Sequence, residues 1–401
     1  MILKMNQVAE QRQTDLFPAL MASAAILVIS LFLRGELAGR QYLLFIVGVG
    51  LGITLLHAAF GFSGGWRRFI RDRDSAGVRA QILLLGITSI LFFPLVGNFF
   101  PGIQAGAALA PVGTAVIVGA FLFGIGMQLG GGCGSGTLYT AGQGQVDMLI
   151  TLIFFVVGAT LGTTHLHWWL SLPGYESISL IENLGWWQGL LTQLAVLALL
   201  YFLVRQMEAG RKGSVHAIDW RVGSIGFTER LVHGPWPLWW GVLGLAILSL
   251  ATLLLAGYPW SITYAFGLWG AKIWGALGGE PASWSYWSSG YPNLSLNSSV
   301  LLDTTSVMDF GVILGALLAA ALAGKYAPAS RLGGKRLLTA VTGGLLLGYG
   351  ARLGFGCNIG AMLGGIASGS LHGWLWMVAG FCGGIAGVRM RVWLGIDRPL
   401  R

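Results

Sequence analysis

The stretch "GARLGFGCNIGAM", residues 350–362, is the least helix-like part of an otherwise apolar segment. Its thirteen positions hold four Gly, one Arg and one Cys, and no other Asp, Glu, Lys or Arg occurs between Arg336 and Arg389. A Gly inside a helix costs about 1 kcal/mol relative to Ala, and lipid penalises a charge such as Arg352. A plain buried helix would carry neither, so the stretch calls for a compensating use.

The surroundings say what kind of chain carries it. Of 401 residues, 55% are hydrophobic and 10% charged, against about 25% charged in soluble domains. Apolar runs of about 20 residues, the length of a membrane-spanning helix, recur throughout. Candidate spans cover 16–34, 41–60, 80–98, 113–130, 147–165, 188–206, 237–257, 309–325, 335–353 and 370–388. The expected fold is an all-α integral membrane protein of about ten transmembrane helices, with short broken or re-entrant helices at the Gly-rich turns. The start, "MILKMNQVAEQRQTDLFPAL", is polar and lacks a small-residue cleavage site after an apolar core, so no cleavable signal peptide is expected. Three Cys make no disulfide framework. The net charge of +9 does not call for nucleic acid, because loops on the inner face of membrane proteins collect Lys and Arg.

Those loops orient the chain. Segment 63–80 carries five Lys or Arg, and 207–236, 325–336 and 388–401 carry four each. Segments 99–112 and 163–187 carry none, and 258–308 only Lys272. Ten spans with both termini inside put every rich loop in the cytoplasm, in a cell inner membrane. The Trp-, Tyr- and Ser-rich run "SWSYWSSGYPNLSLNSS" (283–299) is then outside, with its aromatics expected at the headgroups.

The opening stretch has a twin. Residues 124–136 read "GIGMQLGGGCGSG" and 348–360 read "GYGARLGFGCNIG", with seven identities at a constant offset of 224. The common frame is G-x-G-x-x-L-G-x-G-C-x-x-G. A weaker echo pairs "FGFSGGWRRF" (60–69) with "FGLWGAKIW" (266–274). In the ten-span topology the helix before Cys133 runs inward and the one before Cys357 outward, so the halves are inverted and pseudo-symmetric. They are expected at 1–206 and 237–401, joined by a cytoplasmic linker at 207–236. Inverted repeats with Gly-interrupted helices mark small-solute transporters.

Broken backbone at membrane depth is tolerated where it lines a cavity or packs on protein. Half-helix N-termini suit an anion, and a thiol is soft and a weak donor, which suits a sulfur-bearing solute. The residues expected to line the constriction are Cys133 and Cys357 with Gly132, Gly134, Gly136, Gly356, Asn358 and Gly360. Arg352, its twin Gln128 and Lys272 in the second echo complete the set. Close helix packing is the alternative for the glycines. Cys382, whose position at the same offset is Gly158, reads as a small hydrophobe. No metal spacing and no cofactor motif is present among the His residues. A thiol oxidoreductase would want a C-x-x-C pair or an exposed low-pKa thiol, so a non-enzyme is expected.

At "GGGCGSGTLYTAGQG" (130–144), "GARLGFGCNIGAMLGGIASGSLHGW" (350–374) and, more loosely, "FGFSGGWRRFIRD" (60–72), the chain resembles the YeeE/YedE family of membrane proteins. The resemblance implies uptake of thiosulfate or, in the YedE branch, of a selenium compound. It also implies a two-fold pseudo-symmetric bundle whose short loops meet at central cysteines, with the solute handed on by S–H···S contacts. Those cysteines map onto Cys133 and Cys357. Many members carry a further Cys in an F-C-x-T-G-G-x-R-D setting; here Gly61 stands in its place. A cytoplasmic TusA-like sulfur-carrier protein and the membrane lipid are the partners implied besides the anion.

Overall fold

Lipid offers no hydrogen-bond partner, so apolar chain must satisfy its backbone internally, and helix is the local solution. The computed structural model describes residues 14–36, 39–216, 218, 226–326 and 333–398. The helices run in the order α1 (Leu16–Glu36), α2 (Gly39–His57), α3 (Phe62–Asp72), α4 (Ala76–Val96), α5 (Thr114–Leu129), α6 (Gly134–Gly142) and α7 (Val146–Leu170). Next come α8 (Leu180–Leu184), α9 (Trp186–Lys212), α10 (Phe227–His233), α11 (Leu238–Ala256), α12 (Thr263–Ala276) and α13 (Gly290–Asn297). Last are α14 (Thr304–Leu322), α15 (Gly334–Leu353), a π-helical turn over Asn358–Gly364 that runs into α16 (Gly365–Ala367), and α17 (Leu371–Trp393). Two-residue strands β1 (Val112–Gly113) and β2 (Gly174–Tyr175) pair antiparallel, Val112 opposite Tyr175.

Among the described residues, nine helical stretches are long and apolar enough to cross a membrane, and the protein is a multi-pass membrane protein. The tenth expected span, 335–353, is present as the 20-residue α15. Lys335, Arg336 and Arg352 make it less apolar than the rest, and it packs between α5 and α7 at the centre of the bundle. A helix walled by protein need not be as apolar as one facing lipid. The chain ends, on which the expectation of two cytoplasmic termini falls, lie at 1–13 and 399–401, outside the described residues.

Small residues bring the long helices together. A Cβ at Gly126 would lie 2.7 Å from the Leu347 amide, one at Gly350 would lie 2.7 Å from the Phe123 amide, and one at Gly124 would lie 2.8 Å from the Gly384 amide. A Cβ at Gly348 would fall 2.7 Å from the Gly158 carbonyl carbon. The leading glycines of both repeats therefore serve helix packing, joining α5, α7, α15 and α17. Likewise α2 packs on α14, while α1 lies against α14 and α9 against α4.

The order of long and short helices occurs twice. A helix broken before a short one (α2–α3, α11–α12), a long helix (α4, α14), a second broken helix (α5–α6, α15–π turn) and a closing long helix (α7, α17) appear in each part. The main buried core includes Cys133 and Cys357 themselves.

Candidate functional site

The site is built from the two breaks. Helix α5 ends at Leu129; the chain turns through Gly131 at φ +86°, and Cys133, in extended backbone, caps α6. Helix α15 ends at Leu353; the turn passes Phe355 at φ +58° and Gly356 at φ +145°, and extended Cys357 caps the π turn. No Cβ fits at Gly356: it would sit 2.6 Å from the Ala361 amide, in backbone that only Gly adopts readily.

Each sulfur plays the part a cap oxygen plays elsewhere. Cys133 Sγ accepts the Gly136 N–H at 3.4 Å, and Cys357 Sγ accepts the Ile359 N–H at 3.4 Å. Cys133 Sγ also lies 3.5 Å from Ser135 Oγ, and either can donate; a thiol that accepts from the backbone still has its own S–H to give. Both side chains are fully buried.

The structure brings most of the expected residues together here. A Cβ at Gly134 would lie 2.9 Å from Cys357 Sγ and 3.6 Å from Thr263 Cγ2, so the starts of α6 and α12 meet at that thiol. Positions Gly136 and Gly360 abut Cys133 Sγ and Ser261 Oγ, at 3.3 and 3.2 Å from a notional Cβ. A Cβ at Gly132 would lie 2.9 Å from the Thr137 amide, so the chain passes too closely there for a side chain. Asn358 is fully buried, and neither atom of its amide has a hydrogen-bond partner among the described residues. The N-terminus of α6, the start of the π turn and the unpartnered Asn358 amide thus converge on two thiols, an arrangement suited to a soft anion.

A cavity of about 680 Å³ reaches Phe355 and Gly356, the residues just before Cys357. Arg40, Arg352, Tyr264, Tyr286 and Tyr291 line it, and among the described residues no Asp or Glu does. The Arg352 guanidinium donates to the Tyr286 hydroxyl and lies 4.7 Å from the Tyr286 ring centre and 5.9 Å from that of Tyr264. Among the described residues no carboxylate pairs with it. Burial holds the Tyr264 and Tyr291 hydroxyls above the ordinary tyrosine range, so both stay neutral. A cavity with uncompensated positive charge and low-dielectric walls concentrates anions.

The sequence reading missed the aromatic part of this site. Tyr286 and Tyr291 belong to the run expected at the headgroups, and Trp287 of the same run is fully buried, donating to Thr163 Oγ1 at 3.1 Å. Trp287 thus packs inside the bundle, and Tyr286 and Tyr291 also serve as cavity wall, a use that the expectation of headgroup anchoring did not include. The run's abundance of Tyr was the available signal.

A second cavity, about 480 Å³, opens beside Gly130 and Gly131 and is lined by Arg67, Arg336, Arg391, Asp147 and Asp397. Thr339 of α15 lines this one and Arg352 the other, which separates them by roughly 20 Å along the helix. The thiols lie between. Here Arg67 and Arg391 are engaged: Arg391 grips Asp397 with both arms of its fork, at 2.9 and 3.1 Å, and Arg71 joins it at 3.0 Å. Gln128, fully buried, accepts from Arg67 at 3.0 Å on its amide oxygen and from Arg391 at 2.9 Å on its carbonyl.

Two expected residues stand apart from the thiols. Lys272 donates to the carbonyls of Leu296 and Ser298, each at 2.6 Å, and burial lowers its pKa. It ties the run after α12 to that helix. Gly61 caps α3, and a Cβ there would meet the Tyr139 hydroxyl at 3.4 Å, an ordinary contact.

Fold and site together define a polytopic helical membrane protein whose buried thiols separate two cavities. Residues 57–386 match the Sulphur transport family, and the chain belongs to that family, the YeeE/YedE group. It is 27% identical over 351 residues to the thiosulfate transporter TsuA of Spirochaeta thermophila, covering 82% of this chain and 92% of the relative. Against the thiosulfate transporter TsuA of Escherichia coli it is 25% identical over 368 residues, covering 89% and 95%. A probable transporter YedE of Salmonella typhimurium matches at 33% over 151 residues, covering 37% of this chain and 36% of that one. The family and these relatives are transporters, not enzymes.

Proposed function

We propose that this protein is an inner-membrane permease that imports thiosulfate or a similar sulfur-containing anion past Cys133 and Cys357. The single observation that carries the reading is the pair of fully buried thiols, each capping a helix break, set between a cavity with unpaired positive charge and a second cavity. The similarity over most of the chain to two proteins named thiosulfate transporters supports the choice of solute.

In this reading the anion gathers in the Arg352 cavity, drawn by Arg352 and Arg40 and by neutral tyrosine hydroxyls. Its terminal sulfur meets the S–H of Cys357, and the solute passes the starts of α6 and α12 to Cys133. Gly134, Gly136, Gly356 and Gly360 keep the passage open to close backbone approach, and Asn358 offers amide hydrogens beside the first thiol. No covalent bond forms: the S–H groups donate weakly, and a soft solute sulfur accepts without the strong hydration that sulfate oxygens hold. Gln128 and Gly61 shape the far side, and Lys272 braces the segment that carries Tyr286.

The topology belongs to the same proposal. The halves 1–206 and 237–401, joined across 207–236, stand inverted in the membrane with both termini cytoplasmic, so the Arg352 cavity faces outward and the Arg391 cavity inward. The doubled helix order and the positive charge of the loops support this. A TusA-like sulfur carrier would receive the solute on the inner side, and lipid surrounds the outer helices.

Labelled thiosulfate uptake in a cell lacking its own sulfur permeases tests the reading, with sulfate and selenite alongside. Thiosulfate is expected to accumulate and sulfate not; accumulation of selenite alone would move the protein to a selenium compound, and uptake of none would end the proposal.

A further inference from the structure

Asp309 lies in α14, and the anion path as drawn above gives it no role. It is fully buried, and neither carboxyl oxygen has a hydrogen-bond partner among the described residues. No salt bridge reaches it there. Helical spacing places it: Thr305, four residues earlier, lines the Arg352 cavity with Met308, while Ile313 and Ala316, later on the same face, press against Gly142 of α6. The carboxyl therefore sits on the wall between that cavity and α6, the helix whose first residue, Gly134, abuts Cys357 Sγ.

The charged and titratable neighbours are few. On its own element Asp303 is occupied as the helix cap by Ser306, at 2.8 and 2.6 Å, and by the Tyr291 hydroxyl at 2.9 Å. The packed helix α2 has no titratable residue between Tyr42 and His57, and α1 has none from Leu16 to Leu33. Helix α6 brings Tyr139, and α12 brings Tyr264 and the already engaged Lys272. Helix α10, which also packs on α14, brings Glu229, Arg230 and His233, and Gly234 at its end lies against His57 of α2. An ionised carboxyl with no partner costs several kcal/mol to bury, and intramembrane carboxyls that persist mark ion or proton paths.

We propose that Asp309 is a proton-binding site of the transport cycle and that one proton crosses with each anion. The proposal rests on the anion-transport reading. Arrival of the anion at Cys357 beside a carboxylate would set like charges together, so the two bind in sequence. The carboxylate takes a proton from the Arg352 cavity, and the neutral acid donates its O–H towards the anion. Proton and anion leave together on the far side, and the emptied carboxylate, unpartnered as it is, regains a proton before the next anion enters, so the resting protein holds the neutral acid. The unpartnered Asn358 amide, next to Cys357, is the second polar group that the loaded state satisfies.

The test uses the full chain in lipid vesicles with the membrane potential clamped. With the outside acidic, wild type should concentrate labelled thiosulfate up to about tenfold per imposed pH unit for one proton per anion. Asp309→Asn should lose that concentration entirely, its distribution ratio falling to that of passive equilibration, while Asp309→Glu should retain part of it. Accumulation by Asp309→Asn equal to wild type, or wild-type accumulation indifferent to the pH gradient, overturns the proposal. Thiosulfate-driven proton uptake by wild type, followed with an entrapped pH dye, needs no variant, and absence of proton movement overturns it equally. Infrared spectra without substrate should show a protonated carboxyl at neutral pH that Asp309→Asn lacks; an ionised Asp309 would overturn the proposal whatever the solute. Failure of wild type to exchange any thiosulfate would instead overturn the preceding reading, with the infrared band still deciding the protonation.

Discussion

The turns at Cys133 and Cys357 share one backbone plan and differ in how they handle charge. Both follow a long helix, pass a left-handed residue and end in an extended Cys whose sulfur accepts a backbone N–H. At the first turn the left-handed residue is Gly131, and nearby cations are spent on structure, with Arg67 and Arg391 held by Gln128 and Asp397. At the second it is Phe355, which holds that conformation at a cost of roughly 1–3 kcal/mol and lines the cavity. Among the described residues its cation, Arg352, has a hydroxyl as hydrogen-bond partner, aromatic faces beside it and no carboxylate. A duplicated frame has kept its thiols and diverged around them. One end carries charge that is available to a solute, and the other carries charge that holds the bundle together.

The largest expected effect falls on what the turns share. Replacing Cys133 or Cys357 by Ala should cut uptake by more than about tenfold, since a donor lost from a dry constriction is worth roughly 1–3 kcal/mol. Ser should rescue little, being harder and more strongly hydrated. Uptake that survives in the double Ala variant would reduce both thiols to helix caps.

The next effect separates the turns. Arg352→Gln, which copies the Gln128 position, should raise the half-saturating thiosulfate concentration about fivefold, or roughly 1 kcal/mol, with expression unchanged. Lys should be a poor substitute, because the planar guanidinium stacks on Tyr286 and an ammonium does not. Equal uptake by Arg352→Gln and wild type would erase the distinction drawn between the two ends.

The smallest effect tests the structural end. The fork of Arg391, aided by Arg71, holds the Asp397 carboxyl below the usual carboxylate range. A depressed folded pKa contributes stability that is present above the unfolded value of about 3.9 and lost as pH falls through the folded one. Asp397→Asn should therefore lower thermal stability in detergent by roughly 1 kcal/mol at neutral pH, and the gap to wild type should close in acid. A gap that persists below the carboxylate range would assign the loss to packing instead.

How much of this the sequence carried can be argued residue by residue. Cys133, Cys357 and Arg352 stood out because a duplicated frame and a lone charge are visible in one dimension. The glycines did not sort themselves. Gly124, Gly126, Gly348 and Gly350 serve helix packing, whereas Gly356 is required by a φ of +145° and Gly134 by the closeness of Cys357 Sγ, 2.9 Å from a notional Cβ. Lys272 looked like Arg352 from its apolar setting, yet two carbonyls take up its ammonium.

Membrane character, the helical spans, the doubled Cys motif and the basic loops were determined by the sequence alone, because hydropathy, periodicity and self-similarity are properties of neighbouring residues. Tertiary structure alone decided which cation is paired, which aromatics line the Arg352 cavity, and that Asp309 is buried without a partner. Those facts depend on contacts between distant parts of the chain: Arg352 with Tyr286, Gln128 with Arg391, Gly134 with Cys357. An apolar helix reads the same whether it faces lipid or protein, and only packing distinguishes the two.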